Sequence, residues 1–582
     1  MITLDYRDDA TVAGAIAGQW HEWNSARTPQ LDLWGEIDAY IHATDTSSLE
    51  GGEYFDHKTH IPVLAELHED LIAIVYSTIF PHEDWMSWKG YDEDAIAEAK
   101  RAKILSYIKQ AHSMNGFNKT LRSIVDDFIR YGNAFGKAKY IDNSESSEDD
   151  VADGYIGPSV GRISVFDIVF NPTYHSFKKS PKIIKSLISV GEFAEMVQDA
   201  GSEVKADDAT VRNLLHKRGG GELDYSERYK EQQYIPQGFG SMDQYYNSGM
   251  VELLWFYGDI YDDITGEIHK SRCICVADRS TVVFDNYEPY PSIFKAGWKN
   301  RPDNLWSQGP LDNVVGINYM VNHRENAKNE AIDKFIKPDI AYVGDVEEIY
   351  DEVTGQTKYI MPEGGSVSDI RPDATVLTFD NQIILHKEMA RNAARLPQQL
   401  TGFRTEGEKT ATEVQALNDG AFRGFITKAA QFEEDLLEPL VTAEIRIARD
   451  NYQSVIRVLQ EDSEGVELAA EITEEDLTSN GALIPMGSRR FSRQLQQLTG
   501  INQLVNTNLG QVIGAHINTY SLAKTVEGLY GFEKFDFINK FAAMDEQVEQ
   551  EKAAVLAEQD VTSELAEPTV AELEAEEAPI NV

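Results

Sequence analysis

Hydrophobic and polar positions between residues 310 and 452 recur with helical spacing on either side of a short stretch of a different kind. Across 310–336, apolar side chains recur every three or four residues, which predicts a helix of about 40 Å. The middle of this helix, 322–330, is polar nearly all round, so we expect it to bridge solvent or to be held by neighbouring elements. A second helix is predicted at 382–396 and ends before Pro397.

The stretch between these helices, residues 337–380, is rich in strand-forming residues and glycine turns. We expect strands at 340–343, 358–361 and 376–379, with a helix or a loop after the first strand. Some forty residues are too few for a convincing independent core. The segment is therefore predicted to pair its strands with a second copy of itself.

A much longer helix is predicted after an exposed polar loop. The TATE run at 410–413 matches a capping box, and an apolar stripe with a step of three or four residues continues from Val414 to Leu440. Gly420, Gly424 and Pro439 are expected to bend this helix.

The rest of the chain mixes both periods, and the whole is predicted to be an α+β fold that is mainly helical. Helices are expected within 1–80 and at 92–113, 116–131, 190–217 and within 494–541; strands at 136–141, 161–170, 251–260, 267–277 and 281–284; and loops at 143–154 and 219–249. The dense aromatic residues Trp20, Trp23, Trp34 and Tyr40 are expected to anchor a core or a subunit contact.

Net charge is the strongest feature of the composition. The 582 residues include 53 Lys and Arg against 97 Asp and Glu, a formal net charge of −44. This balance argues against a protein that grips nucleic acid tightly through many phosphate contacts. Two interpretations of this charge are equally good: it keeps the protein soluble, or it gives a surface that must not adhere to a polyanion moving past it. The sequence shows neither a signal peptide nor a membrane-spanning apolar run.

Candidate chemical sites are few. Cys273 and Cys275, the two cysteines, lie two residues apart and lack two further ligands, so we expect a buried structural role in a reducing compartment. His57, His60, His68 and His82 do not follow metal-ligand spacing and are interpreted as solvated or core histidines. The sequence therefore predicts no catalytic residues, no metal and no cofactor.

One glycine-containing loop resembles a phosphate-binding motif and fails on two counts. Gly402, Gly407, Lys409 and Thr410 approach the Walker A pattern, but Glu408 separates the second glycine from the lysine. A helix ended by Pro397 precedes this loop, where the motif requires a strand. The loop is interpreted as flexible and not as a nucleotide site.

The order of these parts resembles that of the portal proteins, or head-to-tail connectors, of tailed and in particular short-tailed DNA bacteriophages. The similarity extends from about residue 55 to 540, and no single motif in it is highly specific. The residues that carry it are YGNAF at 131–135, SVFDIVFNP at 164–172, GEKTATEV at 407–414 and GALIPMGSRRF at 481–491.

The resemblance implies a division into the regions of a portal subunit. It places a wing at 1–305, a first stem helix at 306–336, a clip at 337–380, a second stem helix at 381–397, a tunnel loop at 398–409, a long kinked helix with the remainder of the wing at 410–484, a crown at 485–544 and an acidic tail at 545–582. The tail has twelve Asp and Glu against one Lys and is expected to be helical and then disordered.

The resemblance also implies a function. Twelve copies would form a ring at one capsid vertex of the virion, assembled in the host cytoplasm, through which double-stranded DNA is packaged and ejected. The implied partners are the terminase large subunit, the major capsid and scaffold proteins, and tail adaptor proteins, with no membrane. The residues expected to line the tunnel loop are Gln398, Gln399, Arg404, Glu408 and Lys409.

Two cations of the second stem helix, Lys387 and Arg391, are weaker candidates for the channel wall. For these cations, and for Arg404 and Lys409, an ordinary ion pair at the surface or between subunits is about as good an interpretation. Two other functions stay open: a capsid scaffold or adaptor that never touches DNA, and a nucleotide-driven motor enzyme. The failed Walker pattern weighs against the motor.

Overall fold

The structure is a computed structural model, and all of the residues that it describes belong to the first of two units into which the chain divides, residues 1–491. It describes residues 2–42, 56–57, 59–80, 85–90, 95–142, 155–215, 249–343, 347–351, 356–360, 366–370, 378–396, 423–452, 456–461, 467–477 and 481–487.

Helices and strands are mixed along these ranges, as the predicted α+β class requires. The helices are α1 (Asp9–Ala26), α2 (Thr28–His42), α3 (Val63–Ile79), α4 (Ala95–Met114), α5 (Phe117–Arg130), α6 (Val190–Ala200), α7 (Asp208–Leu215), α8 (Val315–Ile336), α9 (Phe379–Ala393), α10 (described over 423–450) and α11 (Glu474–Leu477). The strands are β1 (Ile2–Leu4), β2 (Met86–Gly90), β3 (Asn133–Asp142), β4 (Ile156–Ile163), β5 (Ile168–Phe170), β6 (Lys182–Ser189), β7 (Met250–Asp262), β8 (Ile268–Ala277), β9 (Thr281–Tyr287), β10 (Ile293–Gly297), β11 (Lys299–Arg301), β12 (Asn304–Gln308), β13 (Asp339–Val343), β14 (Glu347–Asp351), β15 (Gln356–Ile360), β16 (Ser366–Ile370), β17 (Ile456–Glu461), β18 (Glu467–Ile472) and β19 (Gly481–Pro485).

A six-stranded sheet forms one layer of the fold. Its strands run in the order β5-β6-β7-β8-β9, and β1 pairs in parallel with the end of β7. Because successive side chains point to opposite faces of a strand, β7 supplies two cores. Leu254 and Phe256 pack with Trp20 of α1 on one face, and Leu253 packs with Phe193 of α6 on the other.

The largest core lies where α2 to α5 and α10 cover the three-stranded sheet β10-β3-β4. Helix α5 buries Leu121, Ile124, Val125 and Phe128, which recur at helical spacing, and its Phe128 ring meets the Phe432 ring of α10 at 4.9 Å. Buried apolar residues of this kind contribute about 1.5–3 kcal/mol each to stability.

An aromatic cluster around Trp306 joins β12 to this core. The Trp306 ring is stacked on Phe170 at 4.3 Å and meets Trp34 edge-on at 5.6 Å. The Arg27 guanidinium lies 5.4 Å from the centre of the same ring. Trp34 and Tyr40 are at most 1% exposed and belong to this core. Trp20 is fully buried in the core beside the six-stranded sheet, and the part-buried Trp23 packs against that core.

The YGNAF run at 131–135 forms a turn packed against the residues that precede α8. Gly132 has φ +67°, and a Cβ there would lie 2.3 Å from the backbone nitrogen of Gly309. The Asn133 amide donates to the carbonyls of Tyr131 and Ser307. The Asn133 side chain therefore joins the start of β3 to the backbone of β12.

Several predicted boundaries need correction. The strand expected at 161–170 is interrupted between Ile163 and Ile168, where the backbone of Asp167 hydrogen-bonds Ser164 in a turn. The helix expected at 190–217 consists of α6 and α7, joined by the 3-10 turn Gly201–Glu203. Its last two expected positions, 216 and 217, lie outside the described residues.

The long helix is confirmed in its described part. α10 continues through a π-helical turn at Glu433–Leu437 into Glu438–Asp450, and Pro439 occupies one of the first two positions of that last section. A proline lacks the N–H that an α-helix uses there, so the wider turn lies where a distortion was expected. The capping box at 410–413 and Gly420 lie outside the described residues.

The last described strands contact elements from the N-terminal part of the chain. β17 and β18 form a hairpin, and β19 pairs with β2. Gly487 then lies against α3, where a Cβ would meet the carbonyl oxygen of Ile79 at 1.7 Å. The predicted helices within 494–541 and the acidic tail at 545–582 lie outside the described residues.

Candidate functional site

Helices α8 and α9 form an antiparallel pair, which we call the stalk together with the strands between them. The Lys328 ammonium lies 2.8 Å from Asp380, near the start of α9. Arg324 lies one turn before Lys328 in α8. It donates to Nε2 of His386 at 2.9 Å, and His386 lies more than one turn after Asp380 in α9. The two helices therefore run in opposite directions and are fixed in register by polar contacts.

The strands that join these helices pair with one another within the chain. β13 pairs with β16, and inside this pair β14 pairs with β15, both antiparallel. Residues 347–351, expected to be helix or loop, are strand β14, and 366–370 add a strand that was not predicted. A strand was also expected at 376–379. This prediction is wrong at Phe379, which is the first residue of α9. Pairing with a second copy stays a prediction.

The polar middle of α8 is held by a neighbouring segment. The backbone N–H groups of Thr59 and Ile61 donate to the side-chain oxygens of Asn326 (2.8 Å) and Asn322 (2.9 Å), and His57 lies 2.6 Å from Asp333. Asn322 is fully buried and Asn326 is 4% exposed. Of the two expectations for this helix, the structure selects support by neighbouring elements.

This contact has a sequence signal that was missed. Asn318, Asn322, Asn326, Asn329 and Asp333 follow one another at intervals of four, four, three and four residues, which places them on one face of a helix. Four of these side chains, Asn322, Asn326, Asn329 and Asp333, contact residues 57–61, so their spacing along one face was the available signal. Thr59 Oγ1 also accepts from the Asn329 amide at 3.2 Å.

The two helices of the stalk also carry exposed apolar side chains. On α9, Ile384 is 57% exposed, Leu385 53% and Met389 49%, and on α8 Tyr319 and Met320 are 37% and 41% exposed. The antiparallel register brings Met320 to the level of Met389. We call these five residues the apolar stalk face. Exposed apolar side chains that cluster on one element are candidates for an interface with another molecule.

The two cations expected on the stalk occupy different environments. Arg391 lies against α3, with its guanidinium 3.8 Å from the Glu66 carboxylate. Lys387 is half-buried one turn earlier in α9. Arg391 thus has an ion-pair partner within its own chain, and a place of either residue on a channel wall stays a prediction.

The five tunnel-loop candidates, Gln398, Gln399, Arg404, Glu408 and Lys409, lie outside the described residues. The chain on both sides of 397–422 is described. Residues 393–395 at the end of α9 and residues of α10 between 424 and 428 line one common cavity, so the described chain on the two sides of 397–422 meets at the base of the stalk.

The histidines and cysteines have structural partners. His68 lies 2.6 Å from Asp126, His60 contacts the Asn322 amide at 3.2 Å, and His82 is not among the described residues. Cys273 and Cys275 are buried on one face of β8 with free thiols, and burial raises the pKa of both. Over the described residues, no three His, Cys, Asp or Glu side chains are grouped as metal ligands.

None of the described helices combines the length and apolar character needed to cross a bilayer.

Comparison with known proteins adds no family to this geometry. The chain matches no protein-family model and no curated protein sequence.

Proposed function

We propose that this protein is the subunit of a viral portal, a ring at one vertex of a capsid through which double-stranded DNA enters and leaves. The observation that carries the proposal is the stalk. Its two antiparallel helices are attached to the rest of the described chain at one end and carry paired strands at the other. They also expose apolar side chains. A second copy of the chain is a natural partner for such a face.

In this proposal the regions have distinct tasks. The stalks assemble side by side around the channel, and the strands β13–β16 form the clip that meets the terminase large subunit and later the tail adaptors. The body carries the contacts with capsid and scaffold proteins. The ring has twelve subunits and belongs to the virion.

The mechanism is electrostatic and steric. Each chain contributes a net charge of −44, so a ring multiplies this field and disfavours tight contacts between the wall and the DNA backbone. DNA then slides, and a few cations are sufficient to slow it. Arg404 and Lys409 are the proposed cations for this braking.

The decisive experiment is the mass and image of the purified full chain. Native mass spectrometry is expected to give a species of about twelve subunits of 65.3 kDa, and electron micrographs are expected to show rings with a central channel. A monomer or dimer under all assembly conditions would favour the scaffold or adaptor function. Intrinsic nucleotide hydrolysis by the purified chain would favour the motor enzyme.

A further inference from the structure

A cavity at the base of the stalk has a lining of unusual charge. It has a volume of about 470 Å³ and lies between the turn before α8, the end of α9 and the first described turns of α10. The volume falls in the range of about 300–1,000 Å³ that is typical of small-molecule sites. Among the described residues that line it are three cations, Lys299, Arg395 and Lys428, and no carboxylate.

This balance is opposite to that of the chain. Acidic residues outnumber basic residues by 97 to 53 overall, whereas all charged side chains in the described lining of this cavity are basic. Within the described part of the chain, none of the three cations is paired with a carboxylate. Lys428 donates to the carbonyl of Trp298 and, at 3.4 Å, to the side-chain oxygen of Gln431.

The three cations also repel one another. Burial lowers the pKa of Lys428, and the charges of Arg395 and Lys299 lower it further. An anion between these side chains removes this repulsion and supplies the missing acceptors. The side-chain amide of Asn313, which also lines the cavity, provides a neutral donor beside the cations.

The backbone at Arg395 provides an independent observation. The Leu396 N–H donates to the Arg391 carbonyl at 2.8 Å and the Arg395 N–H donates to the Asn392 carbonyl at 3.1 Å. These two bonds define a Schellman motif that ends α9, with Arg395 at the left-handed position (φ +59°). Glycine is favoured there, because a side chain costs roughly 1 kcal/mol.

The side chain at this unfavourable position is directed into the cavity. Its Nη1 lies 3.7 Å from the place that a Cβ on Gly424 would occupy. The guanidinium therefore lies over a residue of α10 that has no side chain. Helix geometry favours glycine at this position, yet the residue is an arginine whose charged end lies in a cationic cavity. We infer that the charge has a role there.

We propose that this cavity binds a phosphate group through Arg395, Lys428 and Lys299. The guanidinium offers paired donors that match two phosphate oxygens, and the two ammonium groups add charge from the other sides. The phosphate belongs either to a free phosphate or mononucleotide or to the backbone of DNA. The proposal does not depend on ring formation.

The test uses the full chain and titrates it with sodium phosphate, with sodium chloride at equal ionic strength as the reference. Heat of binding and the thermal unfolding temperature are recorded. We expect phosphate to bind and to raise the unfolding temperature above that in chloride. Arg395→Gly is expected to weaken phosphate binding by about tenfold or more.

Arg395→Gly separates binding from folding. Because glycine suits the left-handed position, this variant is expected to unfold in chloride at the same temperature as the parent chain or higher. Lys428→Gln keeps a donor for the Trp298 carbonyl and is also expected to weaken binding. Lys270→Gln, at an exposed lysine of β8, is the matched control and should bind phosphate like the parent chain.

Two further titrations identify the source of the phosphate. A mononucleotide and a short DNA duplex are each added to the parent chain and to Arg395→Gly. Binding of the duplex that requires Arg395 and weakens with salt assigns the backbone of DNA, and Arg395-dependent binding of phosphate or mononucleotide alone assigns a small ligand. The proposal is overturned if Arg395→Gly and Lys428→Gln bind all three probes like the parent chain, or if chloride stabilises as much as phosphate.

Discussion

Gly132 shows how a residue that is part of the portal resemblance has a structural reason in this chain. Its φ of +67° suits glycine, and a Cβ would meet the Gly309 backbone at 2.3 Å. We expect Gly132→Ala to destabilise the protein by about 2 kcal/mol or more, because both the backbone and the contact must change. Urea unfolding measures the change.

Gly18 is the matched control for this substitution. It lies exposed in α1 with open space around its Cβ position, so Gly18→Ala is expected to stabilise by about 0.5–1 kcal/mol. Equal effects of the two substitutions would contradict the role of the Gly132–Gly309 contact.

Lys182 is a buried charge whose contribution depends on pH. It is 2% exposed, it donates to the Phe177 carbonyl at 3.0 Å, and burial lowers its pKa to about 8. Below pH 8 the Lys182 ammonium is charged in the folded state, although its burial makes that charge unfavourable. We therefore expect Lys182→Met to stabilise the protein at pH 7 by roughly 1–3 kcal/mol, reduced by the lost hydrogen bond.

The pH dependence of stability that Lys182 produces is opposite to that of a lysine in an ion pair, whose pKa is raised in the folded state. Between pH 8 and the unfolded value of 10.5, the unfolded chain binds more protons than the folded chain, so stability of the parent protein rises with pH through this group. The stability difference between Lys182→Met and the parent should narrow across this window. A difference that stays constant from pH 7 to 10 in urea unfolding would contradict the lowered pKa.

At the scale of elements, the asparagine face of α8 explains how a polar helix is held. Replacing Asn322 by Ala leaves the half-buried N–H of Ile61 without its side-chain acceptor, which we expect to cost about 0.5–1.5 kcal/mol. Hydrogen exchange at the Ile61 amide should become faster in the same variant. Asn329→Ala, which loses a bond between two side chains, should leave this amide protected.

The sequence predicted elements well where their ends are set locally. The Lys337-Pro338 pair ends α8, and alternation identifies the hairpin of β7 and β8. The second stalk helix was predicted at 382–396, but α9 spans Phe379–Ala393 because the left-handed Arg395 ends it before Pro397. Prediction from the sequence failed where pairing with another strand, and not the composition of the segment itself, decides the conformation. The acidic EEIYD run at 347–351 becomes a strand because 356–360 pairs with it, and nothing local distinguishes it from a loop.

The candidate site was predictable only in outline. The plan of two helices around a β excursion follows from periodicity, but the antiparallel register depends on Lys328–Asp380 and Arg324–His386 contacts that no local pattern reveals. The cationic cavity joins residues from β11, α9 and α10, which are far apart in sequence. Such a cluster exists only after folding.

At the scale of the whole molecule, the braking hypothesis concerns DNA and not assembly. Replacing Arg404 and Lys409 together by Ala removes two cations from the predicted tunnel loop. We expect rings to form as before, and packaging yield or DNA retention to change in an in vitro packaging reaction. Unchanged yield and retention would remove the role proposed for these residues.

Ring assembly tests whether the apolar stalk face is an interface between copies of the chain. Ile384→Asp places a charge on this face, where burial against a second copy would leave it unpaired, so we expect rings to be replaced by folded monomers. Ile264→Asp is a matched control, because Ile264 has nearly the same exposure, 53% against 57%, and lies in the β7–β8 turn. Circular dichroism checks that both variants fold, and native mass spectrometry measures their assembly. Rings from Ile384→Asp as abundant as those from Ile264→Asp would show that the stalk face lies outside the interface.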